Sequence, residues 1–359
     1  MLSQEQNDAV EILFSNIKSK QVQTLGGYAG TGKTTVIKSI VQKLIDSGLR
    51  PAICAYTGKA VNVLRNKFLE SQTLHSLLYT PEIDQNGDIC GWTLVNKFKI
   101  NSYYDIILVD EASMVDQTIY RDLINTDLPV IFVGDHGQLE PISNTDNFNL
   151  MRNPDVKLEK IHRNSGEIAH FAEFVRKGNL PCRFPSSNRV QLVKSSAVQP
   201  HHYSDYDQVI CVYNKSRVRI NNIVREHRNI NLSYIAIGEK IICLKNNHLA
   251  GLFNGMQGTI TKVLKNDKLS FVSNGILYSN IKYDPDQFGQ EKADFKKDRS
   301  SKANLFDYAY AITCHKAQGD EWDDIIVYEE NNEFCDPLRW RYTAASRAKN
   351  SIIWVPTII

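Results

Sequence analysis

The 359-residue chain has no apolar run approaching the roughly 18 residues of a bilayer crossing, so nothing in it reads as a membrane-spanning helix. It also has no Cys-x-x-Cys pair. Its seven cysteines stand at 54, 90, 182, 211, 243, 314 and 335, an odd and scattered set. That pattern speaks against a zinc ribbon and against a secreted disulfide framework. Cys54 and Cys211 fall inside strand-like runs, where a thiol serves as a small apolar side chain. An excess of one charge is missing too: 42 Lys+Arg against 40 Asp+Glu leave a formal +2. Any surface for a polyanion must therefore be a local groove rather than a whole-protein field. There is no internal repeat and no low-complexity tract. The opening MLSQEQNDAV is polar and helix-forming, unlike a secretory leader, and the expected compartment is intracellular.

What the chain does have is alternation. With 42% hydrophobic and 23% charged residues it is composed like a globular protein, with length for two medium domains. Val22–Gly27 reads as a strand leading into a Gly-rich loop. A helix from Lys33 to about Ser47 is stopped by Gly48 ahead of Pro51. Ala52–Tyr56, Asp105–Val109 and Pro129–Val133 read as further strands, with a helix near Lys59–Glu70. Buried strands alternating with helices imply a parallel α/β sheet covered on both faces. Tyr79–Val95 differs: Asn86-Gly87 between two extended runs is a hairpin signal. A second α/β pattern follows residue 150, with strands at Gln208–Val212, Ala309–Thr313, Asp324–Val327 and Ile352–Val355. Inside it, Ile237–Tyr283 carries short β-type runs separated by turn residues, which suggests an inserted antiparallel barrel of about five strands. Asp284–Asn304 is polar and reads as a loop or return connection.

Gly27-Tyr-Ala-Gly-Thr-Gly-Lys33-Thr34 fits G-x-x-x-x-G-K-[ST] between a strand and a helix. Such glycines let backbone N–H groups converge on phosphate, and the helix N-terminus adds its dipole. Gly27, Ala29, Gly30, Thr31, Gly32, Lys33, Thr34 and Thr35 are therefore the candidate ATP-binding residues. Lys33 would reach the β- and γ-phosphates, and Thr34 would hold Mg²⁺. Asp110-Glu111 follows the apolar run IILV, where a P-loop enzyme presents its carboxylates. Asp110 is the expected Mg²⁺ partner, and Glu111 the group that activates or orients water.

The order of the remaining motifs resembles superfamily 1 helicases along nearly the whole chain. Leu2-Ser-Gln-Glu-Gln6 resembles their Q motif, which implies that Gln6 reads the adenine edge. Tyr56-Thr57-Gly58-Lys59-Ala60 resembles motif Ia, and Thr73-Leu-His75-Ser the short motif after it. Gly134-Asp135-His-Gly-Gln138 resembles motif III, with Gln138 sensing the γ-phosphate. Lys160-Ile-His-Arg163-Asn resembles motif IV, though Arg-Asn stands where Arg-Gln is commoner. Thr313-Cys-His315-Lys316-Ala-Gln318-Gly319 resembles motif V, which adds Gly319 to the nucleotide-binding candidates. Tyr342-Thr-Ala-Ala-Ser346-Arg347 resembles motif VI. The resemblance implies two RecA-like domains, 1–150 and 151–359. A pin hairpin at about 79–98 would project from the first, and an SH3-like insertion at about 232–300 from the second. It further implies that Arg163 and Arg347 stabilise charge on the transferred phosphoryl group once the domains close.

Nucleic-acid contacts are expected from Thr57, Lys59, His75, Trp92, Asn254, Thr313 and His315, through backbone grips and base stacking. His-Lys-x-Gln-Gly and the small size of both insertions resemble the Dda/RecD-like branch, which moves 5′→3′ on single-stranded DNA. The compactness resembles a phage replication helicase, which would work in the host cytoplasm. Expected partners are single-stranded DNA and its junctions with duplex, with a single-strand-binding protein or replisome components beside them, and no membrane. The chain is expected to act as a monomer. Two other readings stay open at this point: an RNA helicase of the same superfamily, and a translocase or ATP-controlled clamp that displaces proteins without unwinding.

Overall fold

The structure, a computed structural model, describes residues 2–56, 58–65, 70–83, 89–140, 148–161, 166–247, 250–294 and 303–356. The chain divides into two compact units, Met1–Ala169 and His170–Ile359.

The first unit is built on a parallel sheet with, among the described residues, six strands: β1 (Val22–Gly27), β2 (Pro51–Ala55), β3 (Gln72–Thr73), β6 (Ile106–Asp110), β7 (Val130–Gly134) and β8 (Val156–Leu158). Between β3 and β6 lie β4 (Tyr79–Ile83) and β5 (Ile89–Leu94), which pair with each other antiparallel. The sheet order is β3-β2-β6-β7-β1-β8. Its central strands are apolar on both faces because helices cover both; Ile106–Val109 and Val130–Val133 are wholly buried. One face packs Leu13, Ile37, Ile40, Leu44 and Ile131, the other Leu77, Ile107, Val109, Leu123 and Phe132. Each such aliphatic side chain contributes about 1.5–3 kcal/mol on burial.

Local chemistry sets the helix ends. Ser3 and Gln6 form a reciprocal capping box at the start of helix Gln4–Ser15. Helix Lys33–Asp46 stops as expected: Gly48 takes φ +78°, with Gly48 N donating to Ile45 and Leu49 N to Leu44. That is a Schellman closure, which a β-carbon would strain.

The first unit extends to Ala169 rather than ending at 150, because β8 adds to β1 in the same sheet (Leu25 opposite Val156). A three-residue strand, VKL, is too short to show a period, so the sequence does not announce it. Helix Gly58–Arg65 occupies the region read as Lys59–Glu70. The Asn86-Gly87 turn lies outside the described residues.

The second unit holds a parallel sheet of β9 (Val190–Leu192), β10 (Gln208–Cys211), β16 (Ala311–Thr313), β17 (Trp322–Tyr328) and β18 (Ala348–Val355), in the order β16-β10-β17-β18-β9. Between β10 and β16 the chain builds an antiparallel sheet from β11 (Lys240–Cys243), β12 (Gln257–Leu264), β13 (Lys268–Ser273), β14 (Ile276–Lys282) and β15 (Phe306–Tyr308), in the order β14-β13-β12-β11-β15. Sequence periodicity suggests a single strand at Ala309–Thr313. In the structure the chain at 306–313 passes from one sheet to the other: β15 pairs with β11, and β16, three residues on, pairs with β10.

One helix, Asn214–His227, holds that crossover. Arg217, Asn221 and Arg225 stand four residues apart, hence on one face, and all are buried. Arg217 Nη1 donates to Asp307 Oδ2 at 2.5 Å, and Arg225 Nε to Glu239 Oε1 at 2.6 Å. Between them Asn221 Nδ2 donates to the carbonyls of Tyr308 and Ala311, and its Oδ1 accepts from Ala311 N. Arg225 also donates to the carbonyls of Asn231, Leu232 and Tyr234, and its guanidinium lies 3.9 Å over the Tyr308 ring. Burial pushes the Glu239 and Asp307 carboxyls above the usual range despite their arginines.

Candidate functional site

Three strand ends of the first sheet meet at its carboxyl edge. β1, β6 and β7 run parallel and in register, with Gly26 opposite Gly134 and Val109 opposite Phe132. The loop after β1, Asp110 at the end of β6 and Asp135 just after β7 therefore come together, although they are far apart in sequence. The carboxyl edge is where open α/β sheets bind ligands.

The loop is shaped by sterics. Gly32 takes φ +83° as the N-cap of helix Lys33–Asp46, and a β-carbon there would lie 2.3 Å from Gln6 Nε2. At Gly27 a β-carbon would meet Thr31 Oγ1 at 2.7 Å and Lys33 Cγ at 2.8 Å. Gln6 braces the loop, its Nε2 donating to the Thr31 carbonyl at 3.0 Å while its Oε1 accepts from Ser3 N. The amide expected at an adenine edge thus also belongs to the loop's own hydrogen bonding.

Lys33 Nζ donates to the carbonyls of Gly27 (2.6 Å) and Tyr28 (3.1 Å) and lies 3.8 Å from Asp135 Oδ2. Asp135 is fully buried. Its Oδ1 accepts from Gly137 N and its Oδ2 from Gln138 Nε2 at 3.2 Å. The structure therefore joins Lys33 to Gln138 through a carboxylate. Sequence reasoning quoted Asp135 within its motif but gave it no role; the signal was its position directly after a buried apolar strand. The Tyr28 ring lies 4.1 Å from that of His136, a second contact between the loop and the turn after β7.

Asp110 Oδ1 accepts from Glu111 N at 2.9 Å, and Glu111 takes φ +54°. A left-handed glutamate is uncommon and costs about 1–2 kcal/mol, the kind of backbone strain that gathers at functional sites. Thr34 and Thr35 open the helix after Lys33, and Ala29 and Gly30 (φ +79°) lie in the loop before it. For ATP with Mg²⁺ the donor set fits. The loop is a glycine cradle that a β-carbon would fill, with a lysine that donates to two backbone carbonyls and faces the Asp135 carboxylate. The Thr34 hydroxyl and the Asp110 carboxylate are hard oxygen donors that suit an ion completed by phosphate and water.

The nucleic-acid candidates are distributed over both units. In the first, the His75 ring lies 5.5 Å from that of Tyr79 and 6.2 Å from that of Tyr56, at the carboxyl edge beside β2 and β3. Burial lowers the His75 imidazole, against the opposing pull of Asp116. Trp92 is exposed on β5. Thr57 lies outside the described residues, and the backbone of Lys59 is in helix Gly58–Arg65. In the second unit Thr313 ends β16, and burial lowers His315 and Lys316. Lys316 Nζ donates to Asn254 Oδ1 at 2.6 Å, and Asn254 N donates to Asn246 Oδ1. Asn254 and the segment after β16 are thus joined, with Lys316 as the link that the sequence reading left unassigned.

Gly319 (φ +77°) closes that segment. Arg347 is buried, its guanidinium donating to the carbonyls of Thr343 and Asp320 and to Ser346 Oγ. Arg163 lies outside the described residues.

Residues 1–195 match the family model described as an AAA domain, and residues 308–354 match a UvrD-like helicase C-terminal domain. Among curated proteins the chain is similar to the ATP-dependent DNA helicase Dda of Enterobacteria phage T4. They are 28% identical over 192 residues, covering 49% of this chain and 43% of the relative. It is similar to the ATP-dependent RecD2 DNA helicase of Deinococcus radiodurans at 26% over 380 residues, covering 97% and 48% respectively. The chain thus spans about half the length of these relatives. Among solved structures, the fold resembles Bacteroides Pif1 bound to single-stranded DNA, with a TM-score of 0.62 at 20% identity, covering 100% of this chain and 93% of that one.

Proposed function

The chain belongs to the AAA-domain family and is a superfamily 1B helicase of the Dda/RecD-like type, and from that membership we propose that it is an ATP-driven DNA helicase moving 5′→3′ along single strands. The observation that supports this reading most directly is the joining of Lys33, Asp135 and Gln138 beside Asp110-Glu111 at one sheet edge. In it Lys33 and the loop amides bind the β- and γ-phosphates, Thr34 and Asp110 hold Mg²⁺, and Glu111 orients the attacking water. Mg²⁺, when bound by Thr34 and Asp110, would supply charge neutralisation at the phosphates. Gln138, tied to Lys33 through Asp135, registers whether the phosphate site is filled. Arg347, and Arg163 with it, stabilises charge on the transferred group.

The β4–β5 hairpin with exposed Trp92 is the duplex-splitting pin, and the β11–β15 sheet is the SH3-like insertion of this branch. Asn254, Thr313 and His315 grip the strand, with His75, Thr57 and Lys59 doing so in the first unit. The relatives named above are DNA helicases, which favours DNA over RNA. Single-strand-binding protein or replisome components are the further partners proposed, and the cytoplasm the place of action.

ATP-dependent strand displacement on duplexes with a 5′ or a 3′ single-stranded tail, in DNA and in RNA, tests the reading. Displacement only from 5′-tailed DNA, abolished by Lys33→Ala, is expected. Displacement from 3′ tails overturns the direction. ATP turnover with no displacement on any substrate leaves a translocase.

A further inference from the structure

A two-stranded ribbon has little stability of its own, and among the described residues β4 and β5 pair only with each other. What fixes the hairpin's direction must lie at its root. Helix Leu74–Leu78 runs without a break into β4, and Val95 N closes the base by donating to the Leu78 carbonyl at 2.8 Å. The Tyr79 ring packs against the buried cluster that holds Leu77, Val109 and Leu123, and its hydroxyl donates to Asp122. Asp122 stands on helix Gln117–Ile124, capped at its N-terminus by Asp116, whose Oδ1 accepts from Ile119 N. One 3₁₀ turn, Ala112–Met114, and buried Val115 separate that helix from Glu111. The hairpin root is thus bonded to the element that follows the candidate catalytic carboxylates. Burial, and then the bond to Asp122, push the Tyr79 phenol above the usual tyrosine range, so it stays a donor.

We propose that the Tyr79–Asp122 hydrogen bond is a positioning contact: it sets the hairpin on the helix downstream of Asp110-Glu111, so that strand separation depends on it and ATP turnover does not. The inference rests on the reading of the hairpin as the pin. Its partners suit the role. The aromatic ring anchors in a packed, rigid layer, and a hydrogen bond to a carboxylate adds direction to that anchor.

Tyr79→Phe keeps the ring and removes only the hydroxyl. In full-length protein, loss of a hydrogen bond to a charged group is expected to lower strands separated per ATP about tenfold, with DNA-stimulated ATP turnover held within about twofold. Backbone amide exchange at 79–83 and 92–94 should rise. Asp122→Asn keeps an acceptor and should retain most of the displacement. A parallel fall in turnover and displacement overturns the proposal, as does unchanged amide exchange in the hairpin. If the parent protein separates no duplex, the pin reading fails by itself, and amide exchange alone then decides the contact.

Discussion

Asp135 occupies two positions in the site at once: it faces the Lys33 ammonium and accepts from the Gln138 amide. An anion in that place competes with phosphate for Lys33 and holds Gln138 in one orientation. Asp135→Asn should therefore lower the KM for ATP while reducing kcat about tenfold or more, since a hydrogen bond to a charged acceptor is weakened. Steady-state ATP turnover with and without single-stranded DNA measures both; an unchanged kcat removes Asp135 from the coupling. At this scale the sequence was readable wherever a residue's role follows from its near neighbours, as with Lys33 after its glycines or Asp110 after IILV. Asp135 follows an apolar strand as Asp110 does, but its pairing could not be read there, because its partner Lys33 is remote in sequence. Arg347 shows the converse, since its internal bonds to Thr343, Asp320 and Ser346 cannot be seen in a short motif.

Elements with a clear period were legible, and short ones were not. β6 and β7 are apolar runs and β1 leads straight into a Gly-rich loop, and all three lie where the sequence pattern puts them, although the sheet orders them β6-β7-β1. β8 and β9 have three residues each, fewer than an alternation needs to show itself. The crossover from β15 to β16 was hidden for the opposite reason, because the apolar stretch Tyr308–Ile312 gives no sign that it serves two sheets. Arg225 and Glu239, both buried, sit at one end of that arrangement. Glu239→Gln leaves a buried guanidinium without its counter-charge and should cost about 3–5 kcal/mol of stability. Arg225→Met with Glu239→Leu, which removes both charges, should recover part of that loss, since the carbonyls of Asn231, Leu232 and Tyr234 then lose their donor. Urea unfolding of the two variants checks this, and equal stabilities would dismiss the pair as a structural contact.

For the whole molecule, each unit carries a half-buried imidazole, His75 in the first and His315 in the second. Burial lowers both from their ordinary value. An unfolded imidazole then binds protons more readily than a folded one. Stability is full above the ordinary histidine range and is lost as pH falls through it. The thermal midpoint should drop between about pH 7.5 and 5.5, across the ordinary histidine pKa. The drop should be smaller in a His75→Gln, His315→Gln variant. A variant with the same pH profile as the parent would remove both histidines as its source.

The polar face of helix Asn214–His227 also bears on how this chain can change over generations. Arg217 and Arg225 each hold one end of the inserted sheet, through Asp307 in β15 and through Glu239 just ahead of β11, and Asn221 holds the crossover between them. The sheet is therefore a transplantable module with both of its junctions on a single helix. Its far turns, at 265–267 and 274–275, can lengthen, shorten or be exchanged with foreign loops without the parallel sheet registering the change. A substitution among residues 306–311 reaches both sheets at once. Variation among descendants of such a chain should accumulate at the tips of the module and stop short of its two attachment points.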